Sequence, residues 1–146
     1  MIFFLDTEFN GFGGDLISIA LVPLEKDHPP FYEALDCESP TEWVVENVLP
    51  VLQTNPVSRQ LLTDRICDYL DEGSDVTIVA DWPEDIAHAA ALLSYKGKRR
   101  LFKERICFEL IDGSGFDCSK ASEVPHNAYY DALALRNCFE KQFRRS

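Results

Sequence analysis

Residues 3–11 of the chain read FFLDTEFNG, and this stretch decides the fold that the sequence predicts. Together with Ile2, its apolar part has the length and composition typical of a strand buried on both faces. Asp6 and Glu8 follow, and because alternate residues of a strand share a face, both carboxylates point the same way if the strand continues. Two such anions repel each other and lose hydration, which a divalent cation would offset. The alternative interpretation is a strand whose acidic end is exposed to solvent.

The remaining secondary structure follows from apolar periodicity and from turn residues. Further strands are predicted at residues 16–22, 31–35, 76–80 and 106–111. Helices are predicted from Ser39, acting as the cap, to about Pro50, from Ser58 to Gly73, from about Asp85 to Leu93, and from near Asn127 to about Phe143, with loops at 81–84 and 113–123.

The order of these elements defines the fold class. Short connections between the first three strands indicate an antiparallel meander. The later alternation of strands and helices indicates parallel pairing. We therefore predict an α/β fold with a mixed five-stranded sheet, three antiparallel strands followed by two parallel ones, and helices on both faces. A single domain spanning residues 1–146 is expected from the length of the chain.

Composition limits the class of protein. An apolar content of 46% argues against disorder. No apolar run approaches the length of a membrane helix, and the N-terminus lacks the features of a signal peptide. The five cysteines include no C-x-x-C pair, so neither a zinc site nor a disulfide framework is expected. These features together predict a soluble cytoplasmic protein with no membrane partner.

The distribution of charge bears on nucleic-acid partners. A formal net charge of −11 argues against a protein that coats nucleic acid nonspecifically. It leaves open a nucleic-acid enzyme, since metal ions can neutralise an acidic site. Basic residues cluster between Lys96 and Arg105, where a solvated surface segment is the favoured interpretation and a patch that contacts phosphates is the alternative.

The predicted last helix carries a second acidic signal. Asp131 shares the apolar stripe of Ala128 and Leu135, so it faces the core and needs a partner, either a ligand or an arginine such as Arg136. His126 precedes this helix, and an imidazole is well suited to take a proton from water near neutral pH. The alternative role for His126 is that of a helix-capping or surface residue.

A third signal follows the fourth strand, where Asp81, Glu84 and Asp85 lie close together in the sequence. Parallel strands end at the edge of the sheet where α/β proteins place their sites. Asp85 would also suit the positive end of a helix dipole, and that structural role is an equally weighted alternative when this segment is taken alone.

Taken together, these three motifs resemble those of the ribonuclease H-like 3′–5′ exonuclease superfamily. The branch in question, DEDDh, is named for three aspartates, one glutamate and a histidine, and includes ribonuclease T and the proofreading subunit of DNA polymerase III. Residues 6–8 match its first motif and residues 126–131 its third, and the resemblance covers essentially the whole chain. Residues 6–9, 16–19 and 43–50 are also similar to a small stand-alone group of bacterial exoribonucleases described from mycobacteria. In the middle motif, where the family has a polar residue and then an aspartate four residues later, we assign Asp85 as the ligand and keep Asp81 as the alternative.

The resemblance implies a ribonuclease H-like fold with two Mg²⁺ or Mn²⁺ ions. These ions would be held by four carboxylates, those of Asp6, Glu8, Asp85 and Asp131, with Asp6 bridging them. Glu8 would also orient the attacking water, and His126 would remove its proton. Phe9 is expected to pack on the terminal nucleotide, with a core position as the alternative. Asn10 is expected to contact substrate, at a position where many family members carry threonine.

The implied activity is that of a 3′–5′ exoribonuclease, which releases nucleoside 5′-monophosphates from the 3′ end of single-stranded RNA. A DNA exonuclease of the proofreading or repair type is one alternative, and a non-catalytic nucleic-acid-binding module on the same fold is another. A metal-dependent hydrolase of small nucleotides is a more distant one. The sequence leaves open whether the chain forms a homodimer.

Overall fold

A computed structural model describes residues 1–71, 75–94, 106–112 and 118–143 of the protein. Within these residues, strands alternate with helices along the second half of the chain. The strands are β1 (Ile2–Phe9), β2 (Leu16–Pro23), β3 (Phe31–Ala34), β4 (Val76–Ala80) and β5 (Ile106–Leu110). The helices are α1 (Glu42–Asn47), α2 (Arg59–Asp71), α3 (Pro83–Leu93), α4 (Cys118–Ala121) and α5 (Ala128–Phe143), with a 3₁₀ turn at Leu49–Val51.

The five strands form one sheet with β1 at its centre. Their order is β3-β2-β1-β4-β5. β2 pairs antiparallel with both β1 and β3, whereas β4 pairs parallel with β1 and with β5. The predicted α/β fold with a mixed five-stranded sheet is therefore confirmed. The pairing of β1 with β2 shifts register after Glu8, and such a bulge redirects the end of a strand.

Helices cover both faces of the sheet because β1 is apolar on both sides. Phe3 and Leu5 are buried on the face that packs against α2 and α3. Phe4 is buried on the opposite face, against Leu135 of α5, and its ring lies 5.1 Å from that of Phe139. Burying one such side chain contributes about 1.5–3 kcal/mol, so the central strand is fixed firmly between two layers.

Two helices begin at different residues from those predicted. α1 is capped by Thr41 rather than Ser39, because Thr41 has an extended backbone and its hydroxyl accepts from the main-chain N–H of Val44 at 3.3 Å. α3 begins at Pro83, inside the predicted loop 81–84 and two residues before the predicted start. Trp82 is extended, as residues before proline usually are, and the fixed φ of proline suits the first turn of a helix.

The predicted loop at 113–123 is wrong in its described part, since α4 occupies four of those residues. A single turn of helix is too short to produce a recognisable apolar period. The basic segment from Lys96 to Arg105 and the predicted helix end at Gly73 lie outside the described residues. None of the helices in the described part of the chain is both long and apolar enough to cross a membrane.

Candidate functional site

Three carboxylates meet where the end of β1 faces the start of α5. Asp6 and Glu8 come from β1, and Asp131 comes from the first turn of α5. One oxygen from each lies within 4.8 Å of the other two. Residues far apart in the sequence thus converge on one point, with a spacing at which a single cation could contact all three.

Small side chains bring α5 close enough for this to happen. Ala128 and Ala132 are fully buried against Ala20 and Val22 of β2. Because alanine adds little bulk, the helix lies close to the sheet, and Asp131 on the same face is 7% exposed. The predicted position of Asp131 on the apolar face of the last helix agrees with this packing.

The electrostatics of the cluster are unfavourable for three free anions. Burial, followed by the charges of Asp85 and Glu8, raises the pKa of Asp6 well above its usual range. Burial, followed by the charge of Asp131, raises the pKa of Glu8 to about 8. Burial is also the main cause of the raised pKa of Asp131. Folding has therefore placed acidic groups where their ionised forms are strongly disfavoured.

Two carboxylate oxygens in this cluster accept no hydrogen bond from the described part of the chain. They are the buried Oδ2 of Asp6 and the buried Oδ1 of Asp131. The Ser122 hydroxyl lies near enough to Asp131 to lower the pKa of its carboxyl, but it forms no well-aligned bond with this oxygen. Buried polar atoms are normally paired, so an orphaned pair beside a third carboxylate calls for a ligand. Hard divalent cations prefer oxygen ligands of this kind, and one such ion would both satisfy the oxygens and neutralise the charge. The residues present therefore fit a divalent cation.

Asp85 lies next to this cluster and is held in a different way. It is 2% exposed in the first turn of α3, and its Oδ1 accepts from the hydroxyl of Thr7 at 2.6 Å and from the Thr7 main-chain N–H at 3.2 Å. Burial raises the pKa of Asp85 to about 7, although both hydrogen bonds from Thr7 act in the opposite direction. Asp85 lines the same cleft as Asp6 and Glu8 but is not one of the three carboxylates that converge within 4.8 Å. Its charge raises the pKa of Asp6 more than the charge of Asp81 does, which agrees with the choice of Asp85 as the acid of this segment.

His126 is positioned by Asp131 and by an aromatic ring. Its main-chain N–H donates to Oδ2 of Asp131 at 3.0 Å, and its φ of +66° is unusual for a residue with a side chain. Its imidazole lies edge-on to the indole of Trp43, with ring centroids 4.9 Å apart. A rare backbone conformation persists where the surroundings fix it, and the half-buried His126 lines the same cleft as Asp6 and Glu8.

Another residue fills the helix-capping role considered for His126, and the arginine considered as the partner of Asp131 binds elsewhere. Asn127 caps α5, because its Oδ1 accepts from the main-chain N–H groups of Tyr129 and Tyr130 at 3.0 and 3.4 Å. Arg136 directs its guanidinium to the carbonyl of Pro23 and to the side-chain oxygen of Asn137. Among the described residues, Asn127 rather than His126 therefore caps α5, and Arg136 forms no ion pair with Asp131.

The two residues expected to contact substrate lie in different surroundings. Phe9 lines the cleft at the cluster and also packs on His88, with ring centroids 5.2 Å apart. Asn10 uses its carboxamide to join two loops: it donates to the carbonyl of Ser39 and accepts from the N–H of Thr41, both at 2.8 Å. Asn10 therefore holds the β1–β2 turn against the start of α1.

Two acids of the cluster, Asp6 and Glu8, line a cleft of about 720 Å³ that is also lined by several aromatic side chains. Phe12, Trp43 and Trp82 line it and are 88%, 50% and 49% exposed. Sequence reasoning did not select these three residues. The available signal was the presence of large aromatic residues in turns and at helix starts beside the acidic motifs, where burial in the core is not expected.

No protein-family model matches this chain, and a search of curated proteins gives no significant match. The functional interpretation therefore depends on the residues and the geometry of the site.

Proposed function

We propose that this protein is a metal-dependent 3′–5′ exoribonuclease with a ribonuclease H-like fold, which removes nucleoside 5′-monophosphates from the 3′ end of single-stranded RNA. One observation carries the proposal: the carboxylates of Asp6, Glu8 and Asp131 converge within 4.8 Å, and two of them line a cleft together with His126 and several aromatic rings. The mixed sheet, with three antiparallel strands followed by two parallel ones, agrees with the fold that the motifs imply.

Mg²⁺ or Mn²⁺ suits this site, and two ions can be accommodated by the acids available. Asp6, Glu8 and Asp131 would hold one ion, and Asp85, beside Asp6, would help to hold a second. The ions would supply positive charge that neutralises the carboxylates and polarises the phosphodiester. Both orphaned oxygens of the cluster would gain a partner in this arrangement.

The protein groups supply orientation and proton transfer. The imidazole of His126, held by Trp43, is the proposed base that accepts a proton from the attacking water. The carboxylate of Glu8, in the same cluster, orients that water. Attack on phosphorus forms the new P–O bond while the bond to the 3′ oxygen of the preceding nucleotide breaks, and that oxygen takes up a proton. The products are a nucleoside 5′-monophosphate and a strand shortened by one residue.

The cleft provides contacts for unpaired bases. Every base has a flat aromatic face, so stacking on Phe12, Trp43 or Trp82 would hold a strand regardless of its sequence. An enzyme that shortens a strand one nucleotide at a time must bind strands of any sequence next to its cation site, and these aromatic residues would allow that.

A degradation assay tests the proposal. Single-stranded RNA, single-stranded DNA and a dinucleotide, each labelled at the 5′ end, are incubated in excess chelator and then with Mg²⁺ or Mn²⁺. We expect shortening from the 3′ end, nucleoside 5′-monophosphate products, strict metal dependence and a preference for RNA. The Asp6→Asn variant serves as the inactive control.

Each other outcome has a defined meaning. Degradation in excess chelator would refute the metal-dependent reaction. A preference for DNA would indicate the proofreading or repair type of exonuclease, and activity confined to the dinucleotide would indicate a hydrolase of small nucleotides. Binding of strands without cleavage would indicate a non-catalytic module.

A further inference from the structure

One carboxylate joins two segments that line the cleft, the β1–β2 turn and the residue before α3. Oε1 of Glu84 accepts from the main-chain N–H of Gly13 in the β1–β2 turn, at 2.8 Å and across 71 residues of sequence. Oε2 of the same side chain accepts from the indole N–H of Trp82 at 3.2 Å. Glu84 therefore links the turn that carries Phe12 to the residue that precedes α3.

The turn itself has a well-defined conformation, so this link positions it as a unit. A side chain at Gly14 would place its Cβ 2.0 Å from the carbonyl oxygen of Asn10, which only glycine avoids. The main-chain N–H of Asn10 donates to the carbonyl of Asp15 at 2.9 Å and closes the turn. Phe12, at 88% exposure, is thus presented on a closed turn rather than on a loose loop.

An exposed phenyl ring held in this way contributes little to the packing of the described part of the chain. Phe12 and Trp82 both line the cleft, and both depend on contacts near Glu84 for their placement. Exposed aromatic side chains next to a polar site commonly mark a surface that binds a partner. A single strand with unpaired bases suits such a surface, because each exposed ring can contact a base face that a duplex would hide.

We propose that Glu84 is a positioning residue that holds the turn carrying Phe12 and the indole of Trp82 in a fixed arrangement, so that unpaired bases near the 3′ end stack on both rings. This inference rests on the proposed function and specifies how the strand is held. Glu84 contacts neither the reacting phosphate nor a cation in this scheme. Loss of the Glu84 carboxylate therefore lowers the affinity for the strand and leaves the rate of the chemical step nearly unchanged.

Three substitutions separate the two hydrogen bonds. Glu84→Ala removes both. Glu84→Gln keeps a carbonyl oxygen for the N–H of Gly13 but replaces the acceptor for Trp82 with an amide NH₂. Trp82→Phe keeps an aromatic ring and removes the indole donor. Glu25→Ala is the matched control, since it removes the same charge from an exposed turn at the other end of β1, where Leu24 N–H donates to the carbonyl of Ile2.

The measurements are KM and kcat on a short single-stranded RNA, together with quenching of tryptophan fluorescence by a non-hydrolysable phosphorothioate strand in chelator. We expect Glu84→Ala to raise KM about 5–10-fold, as the loss of hydrogen bonds to a charged group implies, with kcat within about twofold. Glu84→Gln and Trp82→Phe should each raise KM by only about 2–3-fold, and Glu25→Ala should match the wild type. Dissociation constants from fluorescence should follow the same order.

Several results would overturn the inference while leaving the proposed function intact. A folded Glu84→Ala protein, as judged by thermal unfolding, with a wild-type KM would show that the link is not needed. A fall in kcat with KM unchanged would place Glu84 at the reacting end of the strand. Failure of Glu84→Gln to recover any of the affinity lost in Glu84→Ala would separate the effect from the bond to Gly13. A wild-type protein that degrades no strand would instead refute the proposed function.

Discussion

The hydrogen bond between Thr7 and Asp85 gives a sharp test of how the site is built. Thr7→Val keeps the shape of the side chain and removes its hydroxyl, which lies 2.6 Å from Oδ1 of Asp85. The main-chain N–H of Thr7 still donates to the same oxygen at 3.2 Å, so one of two bonds is lost. A buried hydrogen bond to a charged group contributes about 1.5–3 kcal/mol to the free energy of unfolding. In a chain of this size that loss lowers the melting temperature by roughly 3–12 °C.

The pH dependence identifies the partner of the hydroxyl. The bonds from Thr7 lower the pKa of Asp85, which burial raises to about 7, so the hydroxyl favours the ionised form of the acid. In chelator, Thr7→Val should therefore lower the free energy of unfolding more at about pH 9 than at about pH 5.5. At the lower pH the acid is protonated, and the bond contributes only about 0.5–1.5 kcal/mol. Thr7→Ser is the control, because it keeps the donor and loses only a methyl group. Its effect on the free energy of unfolding should not depend on pH. Unfolding free energies of Thr7→Val within about 0.5 kcal/mol of wild type at both pH values would refute the bond.

Three further predictions concern the acids and the histidine. Asp85→Asn should abolish turnover whereas Asp81→Asn should retain most of it, and the reverse result in the RNA degradation assay would make Asp81 the ligand. His126→Ala should lower kcat by about 10²–10⁴-fold, with little change in Mn²⁺ affinity measured by calorimetry. Asp131→Asn should instead weaken Mn²⁺ binding itself. Full activity of His126→Ala would show that His126 is not the base. Because the pKa of Glu8 is raised in the folded protein to about 8, protonation stabilises the metal-free fold below the ordinary pKa, and this contribution is lost as pH rises through about 8. The melting temperature in chelator should therefore fall between about pH 5 and pH 9, Mg²⁺ should restore it, and a flat profile would contradict the buried acidic cluster.

The sequence predicted the sheet well because β2 is almost wholly apolar and β1 begins with four apolar residues, Ile2 to Leu5. Their composition alone indicates burial, and the alternation of strands and helices after β3 gives the parallel pairs. The helix starts were harder to predict, since Ser39 and Thr41 both suit a cap and only the local backbone selects Thr41. In the same way, proline is common both in loops and in the first turn of a helix. The structure shows an extended Trp82 followed by a helix that begins at Pro83.

The acidic residues of the candidate site were accessible to sequence reasoning because strand and helix periods place them on defined faces. Contacts between distant segments could not be predicted from the sequence. The Thr7–Asp85 bond spans 78 residues and the Glu84–Gly13 bond 71, and no local pattern encodes either one. Asn10 illustrates the same limit: its position beside the acidic motif suggests contact with substrate, whereas its carboxamide bonds to the main chain of Ser39 and Thr41.

The origin of the three converging carboxylates affects how the protein acquires its cation affinity during folding. The β1–β2 hairpin is local and can form early, but Asp131 reaches Asp6 and Glu8 only when α5 docks, more than a hundred residues later in the chain. Until then, Asp6 and Glu8 remain hydrated, and their repulsion is weak. Docking of α5 adds the charge of Asp131 to the electrostatic strain and completes the ligand set that relieves it. Divalent cations should therefore slow the undocking of α5 more than they speed the formation of the sheet, and hydrogen exchange should detect this as metal-dependent protection concentrated in α5.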